Sequence, residues 1–131
     1  MSGDELSFSE LNSALLAEFP HLRESFAVKI GDFPGWEPGQ YVVFGSIFND
    51  YIENSASQDV AVRSRIAAFV ERMAGSSDEE IDQLLRIELL PTFLKGQQLL
   101  DAYWPYFGPH AKRLLSLMAL RVAPELRLPA G

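Results

Sequence analysis

The run SDEEIDQLLRIELL at residues 77–90 indicates the fold class most directly. Ser77 and Glu80 have the spacing of a capping box, and carboxylates fill the first turn, where the helix dipole favours them. Apolar residues then recur three and four positions apart, which places them on one face of a helix. The run therefore predicts an amphipathic α-helix that begins near Ser77.

The same helical spacing recurs along most of the chain, and no segment has the period-two alternation of a strand. The predicted helices lie near 8–18 and 20–28, from Pro38 to the break at 54–57, from Ser57 to Gly75, from Ser77 to Pro91, after Gly96, and from Gly108 to Pro124. We expect Pro91 to kink or end its helix. The chain is thus predicted to be all-α: a compact bundle of six or seven short helices, with armadillo-like packing of the middle helices as one arrangement. Residues 1–131 form a single domain, in which 1–6 and 124–131 are predicted flexible tails.

The composition predicts a soluble globular protein. Hydrophobic residues make up 47% of the 131 positions and charged residues 22%, which is typical of one folded domain. The absence of cysteine excludes disulfides and thiolate chemistry. The start of the chain lacks signal-peptide features and no apolar run reaches the ~20 residues that span a bilayer, so we expect a cytoplasmic protein. A pI near 4.7 argues against nucleic acid and anionic membranes as partners.

The sequence contains no recognisable catalytic or metal-binding motif. His21 and His110 stand far apart, and neither has the spacing of a metal site. Three glycines at 31, 35 and 39 are separated by prolines, which favours a turn-rich loop over a phosphate-binding loop. We therefore predict that the protein is not an enzyme and that it uses no metal and no cofactor.

Charge is distributed unevenly along the chain. Residues 1–62 hold ten carboxylates and two basic side chains, a formal charge of −8, whereas residues 63–131 hold eight carboxylates and nine basic side chains. The acidic half contains an aromatic loop, and an exposed Trp there would suit a protein interface. A Trp36 tucked over the core edge is the alternative. The predicted partner-binding residues are Asp32, Phe33, Trp36, Glu37, Asp50 and Glu53.

Two glutamates interrupt apolar helix faces, and each could form a buried ion pair. Glu88 falls between apolar residues of the 77–90 helix, and Glu71 has a similar place one helix earlier. We expect them to pair with Arg63, Arg65 or Arg72, because a buried carboxylate needs a partner. A general base, a metal ligand or simple solvation of Glu88 stays open.

The start of the last helix has the ingredients of an anion site. Gly108 and Pro109 begin this helix, so free backbone N–H groups are expected there, next to His110, Lys112 and Arg113. The alternative is an ordinary helix start whose basic side chains pair with acidic neighbours.

Four short runs carry a resemblance to a known family. They are Glu18-Phe19-Pro20-His21-Leu22, Phe69-Val70-Glu71, Ile87-Glu88-Leu89-Leu90 and Tyr106-Phe107-Gly108-Pro109-His110-Ala111-Lys112-Arg113-Leu114-Leu115. The order is similar to that in a family of small uncharacterised bacterial all-helical proteins, a domain of unknown function with a Gly-Pro helix start near its C-terminus. Phe107 and Ala111 stand where members carry Leu and Thr. The resemblance implies an all-α cytoplasmic bacterial protein and brings no catalytic residues.

The leading functional hypothesis is a non-enzymatic interaction module that presents an acidic face to a basic protein partner. Its most concrete version is an immunity protein that neutralises a toxin, which is an analogy of size and charge. The alternative is a self-associating structural protein, in which aromatic surfaces form a symmetric dimer. The expected oligomeric state is a monomer or weak homodimer. We expect the aromatic cluster at 103–107 to lie mostly in the core, with its Tyr hydroxyls at the surface. A ligand-binding protein or enzyme around Glu88 and the Gly108 helix start is the third hypothesis.

Overall fold

In a computed structural model of the chain, residues 6–32, 39–57 and 59–129 are described, with only the backbone at 29–32. These residues form seven continuous helices and no strand, so the all-α prediction is confirmed. The first three helices are α1 (8–18), α2 (20–32) and α3 (40–54). The last four are α4 (Val60–Ala74), α5 (79–93), α6 (97–106) and α7 (Pro109–Val122).

Aromatic rings form two groups in the core. Phe19, Phe44, Phe48 and Phe69 contact one another with ring centroids 5.5–6.3 Å apart, joining α3 and α4 to the turn between α1 and α2. A second group holds α5 to α6 and to the short segment between α6 and α7; it consists of Phe93, Tyr103 and Phe107. Offset and edge-to-face contacts of this kind stabilise a core beyond their buried area.

The hydroxyl of Tyr103 corrects one expectation for this cluster. Tyr103 is fully buried, and its hydroxyl donates a 2.7 Å hydrogen bond to the Ile52 carbonyl near the end of α3. Burial raises the pKa of Tyr103 well above its usual range. The prediction that the Tyr hydroxyls reach the surface is therefore wrong here, and the buried cluster offers no aromatic surface at Tyr103, Trp104 or Phe107.

Two of the helices contain π-helical turns that face each other. Val43–Phe48 in α3 and Leu85–Leu89 in α5 have this wider winding. The buried Asn49 amide bridges them, since its Nδ2 donates to the Glu88 carbonyl at 2.7 Å and to the Gly45 carbonyl at 3.3 Å. Such π turns are rare inside α-helices. Here the two turns lie against each other, and the bonds from Asn49 join α3 to α5 at this point.

The π turn also explains why Pro91 does not end its helix. A proline ring clashes with the carbonyl four residues earlier, which here belongs to Ile87 in the π turn. The wider winding redirects these carbonyls, and that of Glu88 accepts bonds from the side chains of Asn49 and Thr92. The helix therefore continues through Pro91 to Phe93.

Helix α5 begins one residue later than the capping-box spacing predicts. Asp78, not Ser77, is the N-cap residue, and its side chain accepts a 2.9 Å bond from the Glu80 N–H. The other carboxylate oxygen of Asp78 accepts a 2.8 Å bond from the Phe8 N–H at the start of α1. One aspartate thus caps a helix and docks the N-terminal turn on it.

Both predicted tails make specific contacts. Leu6 is buried, and its carbonyl accepts a 3.0 Å bond from the Ser76 hydroxyl. At the other end, Arg127 exchanges two 2.7 Å bonds with the Gln97 amide through its backbone N–H and carbonyl. Among the described residues, no helix combines the length and the apolarity needed to cross a lipid bilayer.

We expect Tyr103→Phe to lower the free energy of unfolding by about 1–2 kcal/mol, because the buried Ile52 carbonyl loses its hydroxyl donor. In this variant the Ile52 carbonyl would keep only a longer 3.3 Å bond from the Ser55 N–H. Urea denaturation measures the change. Tyr106→Phe is the control, since Tyr106 is only half-buried and keeps its ring against Arg63. Equal stability of the two variants would contradict a contribution from the Tyr103 hydroxyl.

The lowered pKa of Asp78 predicts that the stability of the fold decreases in acid. The N–H of Phe8 is the main cause that lowers the pKa of Asp78, followed by the cap bond from Glu80. A lowered folded pKa stabilises the fold above the usual carboxyl pKa, and this stabilisation is lost as pH falls through the folded pKa. Asp78→Asn should therefore lower Tm at pH 7 and flatten the decline of Tm towards pH 3. An identical acid profile for variant and wild type would contradict this assignment.

Candidate functional site

The predicted partner-binding patch is described only in part. The residues outside the described ranges are Phe33, Trp36 and Glu37. Asp32 is the last residue of α2 and only its backbone is described, whereas Asp50 and Glu53 lie near the end of α3 with exposed side chains. Glu53 forms an ion pair of 2.8 Å with Lys95, which follows α5. The common surface of these carboxylates therefore stays a prediction, and one of the two described members is already neutralised.

A second ion pair also joins the acidic half to the basic half. The Arg65 guanidinium on α4 lies 3.0 Å from the Glu18 carboxylate at the end of α1, and it also donates to the Glu18 carbonyl. Both side chains are exposed, so the pair contributes at most about 1 kcal/mol. The main consequence of this ion pair is that Arg65 neutralises Glu18, which is another carboxylate of the acidic half.

The structure assembles a different acidic surface that the sequence analysis missed. The bonds from Ser76 to Leu6 and from Asp78 to Phe8 place residues 6–10 beside the start of α5. Glu10 is exposed on the first of these segments, and Glu79 and Glu80 are exposed on the second. The carboxylates at 78–82 were assigned to the helix dipole alone, and no local pattern indicates their contact with a segment 70 residues earlier. We call the exposed side chains Glu10, Glu79 and Glu80 the acidic corner.

The predicted anion site at the start of α7 is wrong, because an internal carboxylate fills it. Glu71 of α4 accepts hydrogen bonds of 2.9 Å from the backbone N–H groups of His110 and Ala111. Its Oε2 also lies 2.8 Å from Nδ1 of His110. Lys112 turns away from this point, with its ammonium 5.6 Å from the centre of the Trp104 ring. The exposed Arg113 lies on the opposite side of the helix from the core.

Glu71 is therefore a capping residue, and its predicted arginine partner is replaced by His110. The Glu71 side chain is only 21% exposed. It faces the N-terminus of α7, which is the positive end of the helix dipole and stabilises a carboxylate. Gly108 makes this approach possible: a Cβ at that position would lie 2.5 Å from Cδ of Glu71 and 2.7 Å from its Oε2. The sequence pattern correctly marked Glu71 as special, but its role is to join α4 to α7.

Glu88 lies at the seam of the two π turns and has no arginine partner. Its carboxylate rests on Gly45, where a Cβ would lie only 2.6 Å from Oε1. The side chain is half-buried and makes no hydrogen bond or ion pair within the described part of the chain. The expected Glu88–Arg pair is therefore wrong, because the π winding turns this residue towards α3 and away from the α4 arginines. Within 6–32, 39–57 and 59–129, no group of three or more His, Cys, Asp or Glu side chains could hold a metal ion.

An apolar groove opens between α5 and α7. Its volume is about 280 Å³, and it is lined by Arg86, Leu117, Met118, Arg121 and Val122. Leu117 is 54% exposed and Val122 is 65% exposed, whereas the opposite face of α7 packs Ala111, Leu115 and Ala119 into the core. Apolar spacing along the last helix does not separate these exposed residues from those in the core, so the sequence does not indicate the groove.

We expect Gly108→Ala to lower the free energy of unfolding by about 1–3 kcal/mol, because the new methyl group displaces the Glu71 carboxylate from the N–H groups that it caps. Gly96→Ala is the matched control, since it also changes the residue before a helix and nothing lies within 4 Å of its Cβ position. In a Glu71→Ala background the Gly108→Ala effect should largely disappear. Additive effects in this double-mutant cycle would contradict the proposed contact.

A family model matches most of the chain. The description is a domain of unknown function, DUF7674, and the match covers residues 12–118, from α1 into α7. This confirms the expected similarity to an uncharacterised family. No curated protein and no solved structure matches the chain. The chain belongs to the DUF7674 family of domains of unknown function.

Proposed function

We propose that the protein is a non-enzymatic interaction module that binds a basic protein partner. The observation that supports this most strongly is the acidic corner, where two hydrogen-bonded segments 70 residues apart in sequence each expose carboxylates, Glu10 on one and Glu79 and Glu80 on the other. Asp50 at the end of α3 supplies a further exposed carboxylate. The net charge of −7 adds a long-range attraction for a basic partner.

The carboxylates of the acidic corner can contact a partner because another residue accepts the hydrogen bonds that cap α5 and dock the N-terminal turn. Asp78 caps α5 and holds the Phe8 N–H, so Glu79 and Glu80 are not needed for either bond. The Ser7 hydroxyl donates to the Glu10 carboxylate at 2.9 Å, which leaves its negative charge in place. Exposed carboxylates on neighbouring segments, which make no ion pair within the described part of the chain, raise the rate of encounter with a basic surface and make binding sensitive to salt.

The most specific form of the proposal is a bacterial immunity protein, which would neutralise a toxin in the cytoplasm. A small acidic domain could cover the basic active site of a toxin that acts on nucleic acid. Size, charge and the helical fold favour this form, and Phe33 and Trp36, which the sequence predicts to bind the partner, are residue types that supply apolar anchors in interfaces. The product of the adjacent gene is the natural candidate for the partner.

The double variant Glu79→Lys/Glu80→Lys tests the acidic corner. We expect its affinity for the product of the adjacent gene to fall at least tenfold, about 1.4 kcal/mol, with a weaker dependence on salt. Isothermal titration at two salt concentrations measures both changes. Co-expression in a bacterial host then shows whether the wild-type chain relieves toxicity of that product and the variant does not.

The matched control is Glu24→Lys/Glu125→Lys, which changes the net charge equally at two other exposed carboxylates. It should reduce affinity much less than the acidic-corner variant. Equal losses for the two double variants would show that net charge alone attracts the partner. Unchanged affinity for Glu79→Lys/Glu80→Lys would remove the acidic corner from the interface.

A further inference from the structure

We infer that the groove between α5 and α7 binds an amphipathic helix of another protein, with apolar anchors and flanking carboxylates. This surface is separate from the acidic corner and has the opposite charge. The inference depends on the shape of the groove, on the exposure of its apolar side chains and on the arginines at its edges.

The exposed side of α7 is unusually apolar for a helix at a protein surface. A helix packed on one face normally presents charged or polar residues to water on the other. Here Leu117 and Leu120 point outward from α7 and Val122 lines the groove; Leu120 is 72% exposed. Contiguous exposed apolar residues with a polar rim are typical of interaction sites.

The size of the groove favours side-chain anchors over a small molecule. Pockets that enclose a drug-sized ligand usually measure about 300–1,000 Å³ and are deep. The groove of about 280 Å³ is open along α7 between Leu117 and Val122, one turn and a half of helix. A partner helix that presents apolar residues at positions i, i+3 and i+4 would fill such a surface.

The charge of the groove selects an acidic partner. Arg86 and Arg121 line it, and no carboxylate does. Arg121 makes no ion pair with any residue in the described part of the chain. Arg86 is held 2.9 Å from Asp82, one turn before it in α5. Arginine binds carboxylates through two parallel hydrogen bonds, so the Arg121 guanidinium would bind a carboxylate of the partner beside the apolar anchors.

Selection from a displayed library of helical peptides tests this inference. The library presents a fixed helical frame with randomised positions, and the purified wild-type chain is the bait. We expect enriched peptides to carry apolar residues at i, i+3 and i+4 with Asp or Glu beside them. Fluorescence anisotropy with the most enriched peptide then gives its affinity for each variant.

Leu117→Lys and Arg121→Glu should each weaken this peptide at least tenfold. Val60→Lys is the matched control for Leu117→Lys, because Val60 is also about half exposed and lies on α4. It should leave the affinity unchanged, as should Glu79→Lys/Glu80→Lys in the acidic corner. Thermal denaturation confirms that each variant is folded, which is expected because all the substituted side chains are exposed.

Four outcomes would overturn the inference. The first is a selection that enriches no peptide, and the second is one that enriches peptides with Lys or Arg flanks. The third is a wild-type chain that dimerises in light scattering while Leu117→Lys stays monomeric, since a second copy would then cover the groove. The fourth is binding to vesicles of anionic lipid that Leu117→Lys abolishes, which would assign the surface to a membrane.

Discussion

The contact between the Glu71 carboxylate and the start of α7 determines where the last helix lies. This one side chain accepts two backbone N–H bonds and contacts the His110 ring, so the end of α4 and the beginning of α7 are held together at a point. The remaining length of α7 is then directed along α4, with Ala111 and Leu115 in the core. The groove exists because this orientation leaves Leu117 and Val122 beside α5 and outside the core.

The sequence predicted the helices well because their signals are local. Apolar spacing, glycines and prolines within a few residues gave seven segments close to those observed, including the separation of α1 from α2 at Pro20. A helix end at Pro91 is wrong, since the helix continues to Phe93. The π winding before Pro91 allows this, and apolar periodicity does not indicate such winding. The wide turn needs partners from another helix, and the Asn49 amide supplies them from a position 39 residues earlier in the chain.

The candidate site residues were predicted less well, and for one reason. Glu71 and the helix start at Gly108 were each identified from the sequence, but separately, as half of an ion pair and as an anion site. The structure shows that they satisfy each other. The assignment of a ligand to either one is wrong because the N–H groups that bind the Glu71 carboxylate lie 39 and 40 residues away in sequence and 2.9 Å away in space.

Folding also changes the meaning of the charge asymmetry along the chain. Glu18 and Glu53 from the acidic half meet Arg65 and Lys95 from the basic half, so the predicted boundary at residue 62 is not a boundary on the surface. What remains is a pair of distinct regions: carboxylates where residues 6–10 meet α5, and arginines along the groove. A chain with these two regions could hold an acidic and a basic partner at once.

The facing π turns have a consequence for how the family can vary. Each π turn holds one residue more than the α turn it replaces, so deletion of one residue there would restore ordinary winding and leave the flanking parts of the helix close to their present orientation. The change would stay at the seam, where the Asn49 amide meets the Glu88 carbonyl. Gain or loss of one residue at these two turns is therefore a way for the seam to vary while the packing of the rest of α3 and α5 is kept.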